Sequence, residues 1–212
     1  MGLINQNSRL GVILIVSGPS GTGKTTVCTR VREEMPELKF SVSCTTRAPR
    51  AGEQHGKDYY FLSREEFKRR IDNGEFIEYA EVFSNYYGTL KSEVIDRVKC
   101  GDDVFLDIDI QGAMQIRTCS QQDPLLGSCC EFIFIAPPSL EELEKRLRRR
   151  ASDSEEQIMQ RLGKSKLEIS YWKHYDYLVI NDMLDAAVED MKSLIRMTRK
   201  ATKRLEEGLF NV

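Results

Sequence analysis

Residues 12–26 read VILIVSGPSGTGKTT, a β-branched apolar run that enters a glycine-rich loop and continues into a helix-compatible stretch at residues 25–35. A strand, such a loop and a helix in this order aim successive backbone N–H groups at one point, where a phosphate can accept them. Gly18, Gly21 and Gly23 allow the close backbone approach and the positive φ angles that the loop needs. An ordinary glycine-rich turn is the alternative, but the flanking patterns favour a phosphate-binding loop (P-loop).

The loop also contains the side chains that a nucleoside triphosphate requires. Lys24 supplies a positive charge for the β- and γ-phosphates, and the hydroxyl of Thr25 is placed to bind Mg²⁺. The sequence therefore predicts a triphosphate site with Mg²⁺ as cofactor. The residues of this predicted site are Gly18, Pro19, Ser20, Gly21, Thr22, Gly23, Lys24, Thr25 and Thr26.

The composition limits the classes of partner. The 212 residues suffice for one hydrophobic core with a small inserted module, and 41% hydrophobic with 30% charged residues is typical of a soluble globular protein. A formal net charge of -2 gives no overall attraction to nucleic acid or to anionic lipid. We therefore expect neither a nucleic-acid nor a membrane partner, while monomer and homo-oligomer both remain open.

The cysteines and the N-terminal residues indicate the compartment. Six cysteines without CxxC spacing argue against zinc and against structural disulfides. The first ten residues lack the pattern of a secretory signal, and Gln6 occupies the position where N-myristoylation prefers Ser or Thr. Because the apolar runs are also too short to span a membrane, we expect a cytoplasmic protein.

Strand and helix patterns alternate along most of the chain and predict an α/β fold. This fold is a P-loop parallel sheet covered by helices, formed by residues 10–40 and 91–207, with the P-loop at the carboxyl edge of the sheet. A loop is expected over residues 119–130. The expected strands are 12–16, 40–43, 104–109, 132–136 and 177–180. Three helices are expected over 25–35, 91–99 and 111–118, and a fourth follows the Ser139/Glu142 capping box. A fifth helix is expected from the polar stretch 150–156 to about residue 173, and the last helix has the apolar stripe Leu184, Val188, Met191 and Ile195.

Residues 41–90 differ in character and predict a compact, largely β insertion. A polar loop over 44–57 precedes a short strand at 59–61, and the capping box Ser63/Glu66 predicts a helix that ends near Asn73. Residues 76–83 alternate as a strand does, and residues 85–88 predict a turn.

Seven segments, taken together and in order, resemble the guanylate kinase family over residues 12 to 196. The resemblance implies the reaction ATP + GMP giving ADP + GDP in purine nucleotide metabolism, with dGMP as a further acceptor. It also identifies residues 41–90 as a GMP-binding module and about 146–162 as a helical lid. The segments are SGPSGTGKTT (17–26), SCTTRAPRAGE (43–53), GKDYYF (56–61), FIEY (76–79), NYYGT (85–89), LDIDIQG (106–112) and FIAPPS (134–139).

The acceptor phosphate would bind in the polar loop. Arg47 and Arg50 lie three residues apart, and their two guanidinium groups suit a dianionic phosphate. By resemblance, the hydroxyls of Tyr59 and Tyr87 join them. The alternatives are two solvated surface arginines and aromatic packing, and packing is our interpretation of the neighbouring Tyr86.

The guanine base would be recognised by acceptors. Guanine presents N1–H and an N2 amino group side by side, and Glu78, a carboxylate in an apolar strand, is suited to accept from both. By resemblance, Asp109 adds an acceptor near N2, and the hydroxyls of Ser43 and Thr89 complete the pocket toward O6. The family more often has Ser where this chain has Thr89.

Two aspartates lie at the end of the predicted strand 104–109. Asp107 and Asp109 are two residues apart and therefore lie on one face, at the end of the strand where open α/β sheets place active sites. Of the two, Asp107 is the better candidate to bind Mg²⁺ together with Thr25. Paired aspartates facing solvent are the alternative.

Residues 145–150, KRLRRR, contain five basic residues. Such a run is commonly a solvated face or a nucleic-acid patch. By resemblance, Arg146, Arg150 and Arg161 close over the ATP phosphates as a lid, while Arg148 and Arg149 remain on the surface. The chain reads Arg150-Ala151-Ser152-Asp153 where the family reads Arg-Gly-Thr-Asp/Glu. By resemblance Asn181 contacts adenine, and an N-cap or turn role is the alternative.

The implied reaction needs no general base, since the second pKa of a phosphate is about 6 and the acceptor is already largely a dianion at neutral pH. Catalysis would depend on Lys24, Mg²⁺, Arg47 and the lid arginines, and not on His55 or His174. Two rival interpretations remain: a non-catalytic guanylate-kinase-like interaction module, and a P-loop kinase for another acceptor. Retention of Lys24 argues against the first, and Glu78 with Asp109 argues against the second.

Overall fold

The computed structural model describes residues 9–82, 84–149 and 155–205. The strands among these residues are β1 (Ile13–Ser17), β2 (Lys39–Phe40), β3 (Cys44–Thr45), β4 (Tyr60–Phe61), β5 (Phe76–Val82), β6 (Asn85–Leu90), β7 (Val104–Asp107), β8 (Cys130–Ala136) and β9 (Tyr177–Ile180). The α-helices are α1 (Lys24–Glu34), α2 (Arg64–Asp72), α3 (Lys91–Lys99), α4 (Ile110–Ser120), α5 (Pro124–Cys129), α6 (Leu140–Arg149), α7 (Glu155–Ile169) and α8 (Leu184–Thr198).

The large sheet is parallel and has the order β2-β7-β1-β8-β9. The central strand β1 is buried over its whole length, and its side chains alternate between two cores. Leu14 and Val16 pack toward α1 and α8, whereas Ile13 and Ile15 pack toward α3, α4 and α5. Helices therefore cover both faces, which confirms the predicted α/β class and explains the unbroken apolar runs.

The second sheet lies in the region predicted as an insertion and has the order β4-β3-β6-β5. Its core is aromatic: Phe67 of α2 stacks on Phe76 and on Tyr86, with ring centroids 4.4 and 5.3 Å apart. This packing confirms the structural interpretation of Tyr86. The small sheet therefore has its own hydrophobic cluster, separate from the two cores of the large sheet.

One side-chain amide connects the two sheets. Gln115 of α4 accepts a hydrogen bond from the backbone N–H of Tyr79 (3.1 Å) and donates one to the carbonyl of the same residue (2.7 Å). Because these bonds satisfy the main chain of β5 as a neighbouring strand would, α4 fixes this strand beside the carboxyl edge of the large sheet.

Two predicted helix starts are confirmed by their caps. The hydroxyl of Ser63 accepts from Glu66 N (3.1 Å) at the start of α2, and Ser139 accepts from Glu142 N (3.2 Å) at the start of α6. Gly74, with φ +66°, follows the end of α2, as predicted.

Several local predictions were wrong. The strand expected over 40–43 ends at Phe40, because the chain leaves the large sheet there and enters the small one at Cys44. Residues 85–88, expected to turn, belong to β6 and pair with β5, and the reversal lies at Ser84, with φ +62°. The expected loop 119–130 contains α5, which Asp123 caps by accepting from two backbone N–H groups.

Two further element boundaries differ from those predicted. The strand expected over 104–109 ends at Asp107, since Asp109 caps the next helix. Helix α7, expected to run to about residue 173, ends at Ile169, and a 3₁₀ turn over Ser170–His174 follows it. Residue 83, at the end of the predicted strand 76–83, lies outside the described residues.

Candidate active site

The loop between β1 and α1 forms the first part of the site. Gly21 and Gly23 have φ angles of +89° and +85°, in the left-handed region that favours glycine. The loop encloses a cavity of about 160 Å³ at the N-terminus of α1, where backbone N–H groups without helical partners accumulate. This arrangement suits a polyphosphate anion. The cavity is lined by Gly18, Pro19, Ser20, Gly21, Gly23, Lys24, Thr25 and Thr26, whereas the side chain of Thr22 is buried and donates to Pro19 O.

Distant residues brace this loop, and sequence reasoning missed that role. Asn181, buried after β9, donates from Nδ2 to the carbonyl of Thr22 (2.7 Å). Ser165 of α7 donates from Oγ to the carbonyl of Ser20 (3.3 Å). A methyl group on Gly23 would lie 2.4 Å from Asn181 Nδ2. The loop is therefore held from outside as well as by its own glycines.

Lys24, Thr25 and Asp107 lie together where β1 and β7 end. Lys24 Nζ contacts Asp107 Oδ1. Burial is the largest single influence and lowers the pKa of Lys24, but Asp107, Cys28 and Asp109 together outweigh it, so the net pKa is raised. Thr25 and Asp107 also line one cavity of about 220 Å³ together with Ser43 and Tyr59. The site thus combines a fixed cation with a hydroxyl and a carboxylate oxygen.

Glu78 is a buried carboxylate on β5, 5% exposed. Its Oε1 accepts from the hydroxyl of Thr89 on β6 (2.7 Å). Its Oε2 lies so close to Gly112 that a Cβ there would be 2.5 Å away. Burial raises the pKa of Glu78 to about 7, which outweighs the bond from Thr89, and Asp109 nearby adds to the rise. A carboxyl group at this position is poised to accept hydrogen bonds from a ligand.

Asp109 has a structural role that the sequence analysis did not predict. Its Oδ1 accepts from Gly112 N (2.8 Å) and caps α4. The same residue lines a cavity of about 260 Å³, the acceptor pocket, to which both sheets contribute. The sequence contained a signal for this role, because Asp is a common N-cap residue directly ahead of a helix. The acceptor pocket is lined by Ser43, Tyr59, Glu78, Ala80, Val82, Tyr87, Gly88, Asp107, Ile108, Asp109 and Lys164.

Arg47 lies beside the two tyrosines of the acceptor pocket. Its guanidinium donates to Glu53 Oε1 (2.8 Å) and lies 5.4 Å from the ring centroid of Tyr59. The hydrogen bond that Arg47 donates to Glu53 raises the pKa of Arg47 above its usual value. The rings of Tyr59 and Tyr87 meet edge to face at 6.2 Å. Arg50 is exposed, and its backbone N–H donates to the other oxygen of Glu53 (2.7 Å).

The basic run on α6 divides into two kinds of arginine. Arg146 donates to the carbonyls of Asn181 (2.8 Å) and Thr22 (3.4 Å), beside the P-loop. Arg148, 42% exposed, instead pairs with Glu144 and Glu155, which confirms its surface interpretation. Arg161 is exposed on α7. Arg150 and the Ala151-Ser152-Asp153 departure from the family pattern lie outside the described residues.

The histidines have structural contacts. His55 Nδ1 accepts from Phe61 N (3.2 Å), and the carbonyl of His174 accepts from the guanidinium of Arg117. Within residues 9–82, 84–149 and 155–205, no three His, Cys, Asp or Glu side chains converge as a metal cluster. In the same ranges no helix has the length and apolar character needed to cross a membrane.

Comparisons with known proteins agree on one family. The family model described as guanylate kinase matches residues 11–198. A guanylate kinase from Ruegeria pomeroyi is 48% identical over 202 residues, covering 94% of this chain and 92% of the relative, and one from Caldanaerobacter subterraneus is 45% identical over 185 residues, covering 87% and 86%. The crystal structure of guanylate kinase from Anaplasma phagocytophilum superposes with a TM-score of 0.74 at 37% identity, covering 96% of this chain and 93% of that one.

Proposed function

The chain belongs to the guanylate kinase family and is an ATP:GMP phosphotransferase, and we propose how its site divides between the two nucleotides. ATP binds with its phosphates in the P-loop, and GMP binds in the acceptor pocket. The position of Asp107 supports this division. Asp107 contacts Lys24 and lines the cavity beside Thr25, and it also lines the acceptor pocket together with Glu78 and Tyr87 of the small sheet.

The proposed donor contacts are mainly main-chain N–H groups. Residues 18–26 surround the β- and γ-phosphates, and Lys24 neutralises the oxygens of the transferred group. Arg146, which already bonds to the Thr22 carbonyl of the P-loop, and Arg161 on α7 complete the charge compensation, with Arg150 as the third lid arginine. Asn181 remains the proposed adenine contact. The contact would use the side-chain oxygen Oδ1, because the side-chain nitrogen Nδ2 donates to the carbonyl of Thr22.

The residues present fit Mg²⁺. Thr25 and Asp107 offer hard oxygen donors on one cavity wall. Mg²⁺ is commonly held by one or two carboxylates together with substrate phosphates and water, and Asp107, Thr25 and the phosphates of ATP would supply such a set. When bound with ATP, Mg²⁺ supplies positive charge to the phosphate oxygens.

The acceptor contacts divide between the two ends of GMP. At the base end, Glu78 accepts from guanine N1–H and the N2 amino group, and Asp109 accepts near N2. The hydroxyl of Ser43 faces O6, and that of Thr89 donates to O6 in exchange for its bond to Glu78. At the phosphate end, Arg47, Arg50, Tyr59 and Tyr87 bind the dianion, and the phosphate replaces Glu53 on Arg47. None of these contacts requires the ribose 2′-hydroxyl, so dGMP is also an acceptor.

The chain's own residues orient and neutralise the reactants. The GMP phosphate is already largely a dianion near pH 7, so no side chain has to remove a proton before attack. The two sites hold the attacking oxygen in line with the γ-phosphorus, and closure of the small sheet on the P-loop would exclude water. The reduced cysteines fit the further proposal of a cytoplasmic location.

A coupled ADP-release assay with GMP, dGMP, AMP and CMP tests the proposal. We expect turnover with GMP and dGMP and at least about 10³-fold lower kcat/KM with AMP and CMP, because those bases leave Glu78 unpaired. An interaction module would release no ADP, and a kinase for a different acceptor would prefer another nucleotide. Either result would contradict the proposed division of the site.

A further inference from the structure

A larger cavity of about 720 Å³ adjoins the acceptor pocket and lies between α4, α7 and the end of β5. The two cavities share three lining residues, Val82, Asp109 and Lys164. Lys164 is therefore on the wall between them. Neither the family resemblance nor the contacts proposed above gives this lysine a role.

Lys164 is the one cationic side chain among the described residues that line the acceptor pocket, whose other charged lining residues are Glu78, Asp107 and Asp109. Asp107 is contacted by Lys24, whereas Asp109 and the ionised form of Glu78 oppose the entry of a nucleotide that brings a dianionic phosphate. A cation on the same wall offsets part of this repulsion.

The backbone around Lys164 is fixed, whereas its ammonium group is held weakly. The neighbouring Ser165 is buried and donates to Ser20 O of the P-loop (3.3 Å), so α7 rests on the donor site. The ammonium has a 3.5 Å pair with Glu168, and the side chain is 65% exposed. Such an exposed pair contributes little free energy and is easily exchanged for a stronger anion.

The position of Lys164 along β5 indicates which end of the acceptor it faces. Glu78 marks the base end, and Tyr87, at the phosphate end, pairs with Ala80. Val82, which shares the wall with Lys164, lies two residues farther in the same direction, roughly 13 Å along the strand from Glu78. The shared wall therefore runs from Asp109, at the base end, to Val82, beyond the phosphate end, and Lys164 is the cation on it.

We propose that Lys164 is a further binding residue for the acceptor, and that its ammonium contacts the nucleoside monophosphate on the side opposite Arg47. The inference rests on the proposed function, because it takes this pocket as the GMP site. Closure of the small sheet toward α7 brings the phosphate to Lys164, which exchanges Glu168 for it.

The test compares Lys164→Met with Lys166→Met, which removes an exposed lysine from the same helix. GMP affinity is measured by calorimetry, and guanosine affinity by an NMR titration. We expect Lys164→Met to weaken GMP binding about tenfold and to leave guanosine binding unchanged, because a charge-assisted contact to the phosphate is lost. Lys164→Arg retains GMP binding within about threefold, and Lys166→Met binds both ligands as the wild type does.

Equal weakening of guanosine and GMP by Lys164→Met would overturn the inference, since the contact would then be to the nucleoside or to the fold. Unchanged GMP binding would also overturn it. If the wild-type chain binds and phosphorylates GMP and Lys164→Met binds GMP with the same affinity, this inference is wrong but the proposed function stands. Failure of the wild-type chain to bind GMP would refute the proposed function and this inference together.

Discussion

The P-loop and the acceptor pocket are built by opposite means. The P-loop is one contiguous segment whose ligand groups are mostly backbone N–H groups, which its glycines allow to converge. The acceptor pocket instead collects side chains from both sheets and from α7, and its central group is a buried carboxyl with a raised pKa.

This difference predicts different sensitivities. Backbone N–H groups do not titrate, and few substitutions remove them, so the donor site depends on the shape of the loop and on one lysine. The acceptor pocket depends on charge, and its recognition therefore changes with protonation and with isosteric substitution. Four perturbations test this contrast, from the largest expected effect to the smallest.

The largest effect is expected for Lys24→Met. Removing the point charge from the transferred phosphoryl group should lower kcat by about 10³-fold or more in the ADP-release assay. GMP affinity, measured by calorimetry, should stay within about twofold, because Lys24 belongs to the donor site. Lys39→Met, at an exposed position on β2, is the control. A loss of GMP affinity as large as the loss of kcat would show that the two sites are not separate.

Glu78→Gln should affect base choice and leave the donor site unchanged. Glutamine keeps the size of the side chain but presents an NH₂ donor to the guanine donors, so the GMP-to-AMP ratio of kcat/KM should fall about 100-fold. The KM for ATP should not change. Unaltered selectivity would contradict the role of Glu78 at the base.

A pair of glycine variants probes both sites by the same added methyl group. Gly23→Ala places Cβ at a positive φ and 2.4 Å from Asn181, whereas Gly112→Ala places it 2.5 Å from Glu78. We expect the first to raise the KM for ATP and the second to raise the KM for GMP, each about thirtyfold, with the other KM nearly constant.

Gly163→Ala, where the new Cβ meets no atom within 4 Å, is the control for this pair and should leave both KM values unchanged. Thermal unfolding of each variant separates a local effect from loss of the fold. If both variants raise both KM values equally, the proposed independence of the sites is wrong.

The smallest effect is the pH dependence of acceptor binding. With a pKa of about 7, Glu78 is mostly protonated at pH 6 and mostly ionised at pH 8. In the proposed contact the ionised form accepts both guanine hydrogen bonds, so guanosine affinity should rise up to about tenfold over this range. Guanosine is the probe because its lack of a phosphate removes the titration near pH 6. Glu78→Gln should abolish the rise, and a rise that persists in it would assign the titration elsewhere.

The contribution of Glu78 to stability changes with pH in the opposite direction to that of a salt-bridged carboxylate. The folded-state pKa of Glu78 lies above its unfolded value, so the folded protein retains a proton that the unfolded chain has lost. The contribution of Glu78 to the free energy of unfolding therefore decreases as pH rises from about 4.5 through about 7. GMP should offset this loss by binding the ionised form.

Local rules determined much of the molecule from sequence alone. The P-loop, the helix starts at Ser63 and Ser139 and the apolar stripe of α8 depend on residues close together in the chain, and the structure confirms them. The resemblance to guanylate kinases identified the family for the same reason, because its motifs are short contiguous segments.

Long-range contacts decided the rest. Nothing near Asn181, Ser165 or Gln115 in the sequence indicates that the first two brace the P-loop and the third fixes β5, because each bond joins residues far apart in the chain. The same holds for Gly112 beside Glu78 and for Lys164 on the acceptor wall. Sequence patterns record local backbone preference and periodic burial, whereas which side chains meet across two sheets depends on how the elements pack in three dimensions.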